Sequence, residues 1–129
     1  MSKRAILCVD DEEMVLVSLG DQLENAFGDR YLYEFAEDAE EALEVIEDLT
    51  TEEVSILIIV SDWLMPGMKG DEFLIQIHQR FPEIKKIMLT GQADAVAIER
   101  AQQQAGLYRY IAKPWDKDTL IKAIEAGLE

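Results

Sequence analysis

The stretch "VSILIIVSDWLMPGMKGDEF", residues 54–73, decides how this chain is read. Its first seven residues are an almost unbroken apolar run that ends abruptly on Asp62, and Trp63, a proline and two glycines follow. A short apolar run bounded by turn residues reads as a strand covered on both faces. The sequence therefore delivers a carboxylate to the carboxyl end of a buried strand.

Working outward, Ala5–Val9, Tyr31–Ala36 and Lys86–Thr90 read as strands beside Ile56–Ser61, with a more mixed fifth at Leu107–Ala112. Apolar stripes at helical spacing lie between them: Leu16, Leu19, Leu23, Ala26 and Phe27; then Ala39, Ala42, Leu43, Ile46 and Leu49, with Asp38 and Glu41 spaced as a capping box. Phe73, Leu74, Ile77 and Phe81 form a third, stopped by Pro82, and Leu120, Ile121, Ile124 and Leu128 form the last. The stripe over 94–105 rests on Ala97, Ile98, Ala101 and Ala105. It has little apolar area to bury, which predicts the least firmly held helix.

Strand followed by helix, five times, gives with right-handed crossovers an open parallel sheet between two helical layers. The expected architecture is an α/β three-layer sandwich, (βα)5, forming a single domain over residues 1–129. In such sheets ligands bind beyond the carboxyl ends of the strands. The first strand runs into Asp10, Asp11 and Glu12, the third into Asp62, the fourth into Thr90 and the fifth into Lys113.

Carboxylates brought together repel unless they share a cation. Hard oxygen ligands with few neighbours favour Mg2+, which keeps several waters and takes one or two protein carboxylates plus a phosphate oxygen, with Mn2+ as a second candidate. A carboxylate can also act as a nucleophile and form an acyl phosphate, a transfer that needs mainly positioning and charge neutralisation. Lys113 could supply charge and the Thr90 hydroxyl a hydrogen bond.

Taken singly, these residues have plainer readings. An acid at a strand end is often a turn former or cap, Thr90 an ordinary β-branched strand residue, and Lys113 a surface lysine. Glu12 is expected to be a solvated residue favouring its helix N-terminus. Trp63 and Trp115 flank the expected pocket as lid or core, and His78, one place beyond its apolar stripe, is expected on the surface without chemistry.

Composition narrows the function further. With 12 Lys and Arg against 27 Asp and Glu, the formal net charge is -15, the wrong sign for direct nucleic-acid binding. The single cysteine, Cys8, lies in "AILCV" and reads as a buried thiol. Too few apolar residues precede Asp10 for a signal peptide or a membrane span, so a cytoplasmic location is expected.

"CVDDEE", "SDWLMPGMKGDEF", "IMLTG" and "YIAKP", in this order, resemble the receiver domain of bacterial two-component response regulators. The resemblance implies a flavodoxin-like sheet of order 2-1-3-4-5. It makes Asp62 the phosphoacceptor, charged by a phosphohistidine on a histidine kinase or phosphotransfer protein. Asp11, Asp62 and the backbone carbonyl of Leu64 would bind the metal directly, and Asp10 chiefly through water. Thr90 and Lys113 would contact the phosphoryl group, with Thr90 and Tyr110 as the switch pair, while Leu64 and Gln92 would tune dephosphorylation. The Lys113-Pro114 bond would be cis, and Trp115 replaces the phenylalanine common at that place.

The resemblance also implies a non-enzyme that catalyses only its own phosphorylation and dephosphorylation. The chain is expected to be the amino-terminal part of a larger signalling protein with a linked output domain, and Arg109 and Lys117 could form a homodimer face. Two other classes stay open. A haloacid dehalogenase-type phosphatase would place a second Asp where Leu64 stands, and a degenerate receiver would act only as a protein-interaction module.

Overall fold

The computed structural model describes residues 3–91 and 95–128. Its elements are β1 (Arg4–Val9), α1 (Glu13–Phe27), β2 (Leu32–Ala36), α2 (Ala39–Thr51), β3 (Ser55–Asp62), α3 (Gly70–Arg80), β4 (Lys85–Thr90), α4 (Ala95–Gln104), β5 (Arg109–Ala112) and α5 (Lys117–Leu128). The strands are all parallel, in the order β2-β1-β3-β4-β5. This is the flavodoxin-like arrangement that the family resemblance implies.

Strand alternation divides the core into two layers. Ala5, Leu7 and Val9 of β1 pack with residues of α2, α3 and the end of α4, whereas Ile6 and Cys8 face Leu19, Leu23 and Ile124 of α1 and α5. The β1–β3 register shifts between Ala5 and Ile6, which pair with Ile56 and Ile58. Leu57 is thereby skipped, and the facing pattern of β3 is reset before it reaches Asp62.

The α2 cap forms as its spacing predicts, with Asp38 Oδ1 accepting from the Glu41 amide at 2.8 Å. The Glu41 carboxylate in turn accepts from the Glu37 amide at 3.1 Å, one residue earlier than in a reciprocal box. The expected helix over 94–105 is seen as α4, where Ala97 and Ala101 are the buried residues; Asp94 lies outside the described residues. The fifth strand begins two residues later than expected. Strand pairing is recorded only from Arg109, although Leu107 already packs with one core layer and Tyr108 with the other.

His78 departs from its expected place on the surface. It is half-buried, with Nδ1 3.0 Å from Nζ of Lys86. Lys86 is itself buried at the start of β4 and donates to the Ile84 carbonyl at 2.8 Å. Burial pulls the Lys86 pKa below its ordinary value, opposed by the nearby Glu83 charge.

Candidate functional site

Parallel strands carry their last residues to a common rim, and Asp10, Asp62, Thr90 and Lys113 stand at the ends of β1, β3, β4 and β5. Asp10 has no solvent exposure. Its amide donates to the Ala36 carbonyl, its Oδ1 accepts from the Glu12 amide at 2.9 Å, and its Oδ2 accepts from Lys113 Nζ at 2.7 Å. The same ammonium lies 3.3 Å from Asp62 Oδ1. Oxygens of Asp10, Asp11 and Asp62 all fall within 4.8 Å of one another, with Asp11 exposed and the other two buried. That is a set of hard oxygen donors suited to Mg2+ or Mn2+.

The electrostatics follow from this crowding. Burial, then the Asp10 charge, pushes the Asp62 pKa up to about 6; Lys113 pulls against them and Asp11 adds a smaller push. Burial opposes the charge on Lys113, but Asp10 and Asp62 outweigh it and hold its pKa above the ordinary value. Cys8, behind the rim, is pushed up to about 12 by burial and by Asp10. Its thiolate is therefore scarce at neutral pH, which removes it as a nucleophile.

The Asp62 shift fixes a pH dependence. In the unfolded chain the group ionises near 3.8, and in the fold near 6. Between these values the folded state holds the extra proton, so the contribution of Asp62 to stability falls as pH rises through this window. The loss amounts to about 2–3 kcal/mol. Urea unfolding without divalent cations should show the stability difference between Asp62→Asn and the native chain growing from pH 4 to pH 6 and flat above. A difference independent of pH would contradict the assignment.

A tight loop holds Asp62 in place. The Trp63 amide donates to the Leu89 carbonyl at 3.0 Å, and the chain returns through a bond from the Gly70 amide to the Trp63 carbonyl at 2.7 Å. Met65 is buried as the loop anchor, while Leu64 is 55% exposed. A cleft of about 440 Å³ opens above Asp62, lined also by Asp11, Glu12, Trp63, Leu64, Met65, Pro66, Thr90, Gly91 and Lys113.

Not every expected residue reaches this cleft. Tyr110 is 44% exposed, and the β4–β5 register pairs it with Met88 while Thr90 pairs with Ala112. Thr90 and Tyr110 thus share one face of the sheet, two positions apart. Gln92 lies outside the described residues. Trp115 does not cover the pocket; its Nε1 donates to Gln22 Oε1 at 2.8 Å and ties the α5 approach to α1. Glu12 caps α1 with its backbone carbonyl and makes no side-chain cap bond. Lys113-Pro114 is cis.

Sequence reasoning missed Asp71, a buried acid in the first turn of α3 that pairs with Arg100 of α4 at 3.2 Å. An acid at that place reads as an ordinary helix-start preference. The signal for its partner, 29 residues away, is not local.

The family profile of the response regulator receiver domain matches residues 6–125. The chain is 36% identical over 124 residues to the hydrogenase transcriptional regulatory protein HoxA of Cupriavidus necator, covering 96% of this chain but only 24% of HoxA. Among solved structures, a CheY-like response regulator receiver domain protein from Methanospirillum hungatei superposes with a TM-score of 0.86 at 33% identity, covering 98% of this chain and 94% of that one. The beryllofluoride-activated NtrC4 receiver domain dimer superposes with a TM-score of 0.81 at 27% identity, covering 95% and 94%.

Proposed function

The chain belongs to the response regulator receiver domain family, and on that premise we propose that it is a phosphoacceptor of two-component signalling with Asp62 as the accepting side chain. The observation that carries this reading is the position of its carboxylate at the floor of the cleft, 3.3 Å from an ammonium and beside two further acids. An Asp62 oxygen attacks the phosphorus of a phosphohistidine. The O–P bond forms as the N–P bond breaks, and the imidazole keeps the electron pair and takes up a proton. Lys113 neutralises one equatorial oxygen and the Thr90 hydroxyl hydrogen-bonds another. Asp62 must be ionised to attack; burial and the Asp10 charge hold its pKa up at about 6 in the metal-free fold, and a bound cation would favour the ionised form.

Asp11, Asp62 and the Leu64 carbonyl would hold Mg2+, or Mn2+, directly. Both Asp10 oxygens already accept hydrogen bonds, which supports a water-mediated role for that residue. When bound, the cation neutralises charge on the transferring group. Asp11→Asn should weaken Mg2+ affinity by about tenfold or more, read by titrating the fluorescence of Trp63, the neighbour of Asp62; unchanged affinity would remove Asp11 from the site.

The switch is proposed to run from Thr90 to Tyr110. Thr90 moves toward the phosphoryl group, Tyr110 turns inward, and α4, which buries only small side chains along its length, shifts with it. A single Tyr110 rotamer with and without a phosphoryl mimic, read by NMR, would break this link. Leu64 and Gln92 would set the lifetime of the charged state. The partners would be a histidine kinase or phosphotransfer protein, a linked output domain and a second copy across Arg109 and Lys117, all in the cytoplasm. None of the described helices is long and apolar enough to cross a membrane.

The test is incubation with acetyl phosphate, with and without Mg2+. A Mg2+-dependent adduct cleaved by hydroxylamine is expected. No adduct with either acetyl phosphate or a cognate kinase would leave the chain as an interaction module.

A further inference from the structure

A second concave surface lies away from the phosphoryl cleft and shares no lining residue with it. This groove, of about 740 Å³, runs between α1 and the edge strand β2. Its floor is apolar: Val17 is 57% exposed and Phe35 37% exposed. The Phe35 ring lies over Gly20, where an added Cβ would sit 2.9 Å from the ring tip. Glu13, Asp21 and Glu24 of α1 wall one side, and Glu37 and Glu41 stand at the start of α2. Among the described residues, no Lys or Arg pairs with any of these five carboxylates.

We propose that this groove between α1 and β2, an apolar floor rimmed by five acids that no described Lys or Arg neutralises, docks a positively charged amphipathic helix of a partner protein. The α5 helix shares the core layer of α1 on its other side, so an incoming helix would extend that layer past the sheet edge. The run from Glu13 to Glu24 spans roughly 17 Å, matching about three helical turns. Apolar side chains of the partner would cover Val17 and Phe35, while its Lys and Arg stems lie along the floor and reach the carboxylates. A second copy does not fit, because a two-fold contact would set five acids against five in a chain of net charge -15. Nucleic acid is excluded by the same sign of charge.

The site is distinct from the phosphoryl chemistry, so both surfaces can be occupied together. The probe is a synthetic helical peptide of about 14 residues with leucines on one face and Lys and Arg on the other, titrated into the 15N-labelled chain of residues 1–129. A peptide of the same composition with its leucines dispersed is the control. Amide shifts are expected over residues 13–24, 32–37 and 41 with the amphipathic peptide. Affinity should fall by about tenfold or more in Asp21→Lys/Glu24→Lys, and several-fold in Val17→Asn, two variants confined to the surface. Phosphoryl uptake from acetyl phosphate should be unchanged in both. Equal binding of the dispersed peptide, shifts centred elsewhere, no binding at millimolar peptide, or indifference to the substitutions would each overturn the proposal. Concentration-dependent shifts of the same residues without peptide would assign the groove to a second copy instead.

Discussion

Asp62→Asn is expected to abolish phosphoryl uptake and yet to unfold later than the native chain when divalent cations are absent. The loss of uptake is complete because an amide has no anionic oxygen to form the acyl phosphate. The gain in stability comes from the same crowding that builds the site. Ionised Asp62 is buried beside Asp10 and Asp11, and Lys113, shared with Asp10, offsets only part of the penalty. Removing that charge should stabilise the fold by about 1–3 kcal/mol at neutral pH. Urea unfolding in EDTA measures it. Mg2+ should narrow the gap, because the cation binds the native chain more tightly than the variant. A variant less stable than the native chain under these conditions would mean that Lys113 more than compensates Asp62.

The second large effect is at Gly70. A Cβ there would collide with the Asp62 carbonyl oxygen and lie 2.8 Å from the Trp63 Cα. Both obstacles are backbone, so neither can swing aside. Gly70→Ala should destabilise the fold by about 2–4 kcal/mol and weaken Mg2+ binding with it, because the displaced segment carries Asp62. Helix propensity alone predicts the opposite sign, a gain of about 1 kcal/mol for alanine over glycine. Gly20→Ala is the control. Its Cβ meets only the tip of the half-exposed Phe35 ring, so stability should change by less than about 1 kcal/mol. Chemical denaturation of the two variants separates close approach from propensity. Gly70→Ala as stable as the native chain would show that the loop has slack.

Particular residues show why some features were legible in the sequence and others were not. The cores of β1, β3 and β4 could be read because strands buried on both faces are almost continuously apolar, and the break at Asp62 marked the rim. The gathering of Asp10, Asp11, Asp62, Thr90 and Lys113 followed from topology, since parallel strands end on one side. The pairing of His78 with Lys86 did not follow. Nothing local distinguishes a lysine at a solvated strand start from one covered by a neighbouring helix. Asp71 and Arg100 were hidden for the same reason, and Gly70 was legible as part of a pattern but not as a point of contact with Asp62. The groove beside α1 escaped because Val17 and Phe35 become a surface only when α1 is laid against the sheet edge.

The central claim is that Asp62 carries the phosphoryl group, and the most direct measurement is borohydride trapping after incubation with acetyl phosphate and Mg2+, followed by peptide mass mapping. Reduction of the acyl phosphate should convert Asp62 alone to homoserine, only when both phosphodonor and Mg2+ are present. Homoserine at Asp10, Asp11 or any other acid, or none at Asp62 in a chain that has gained a phosphoryl group, would contradict the account.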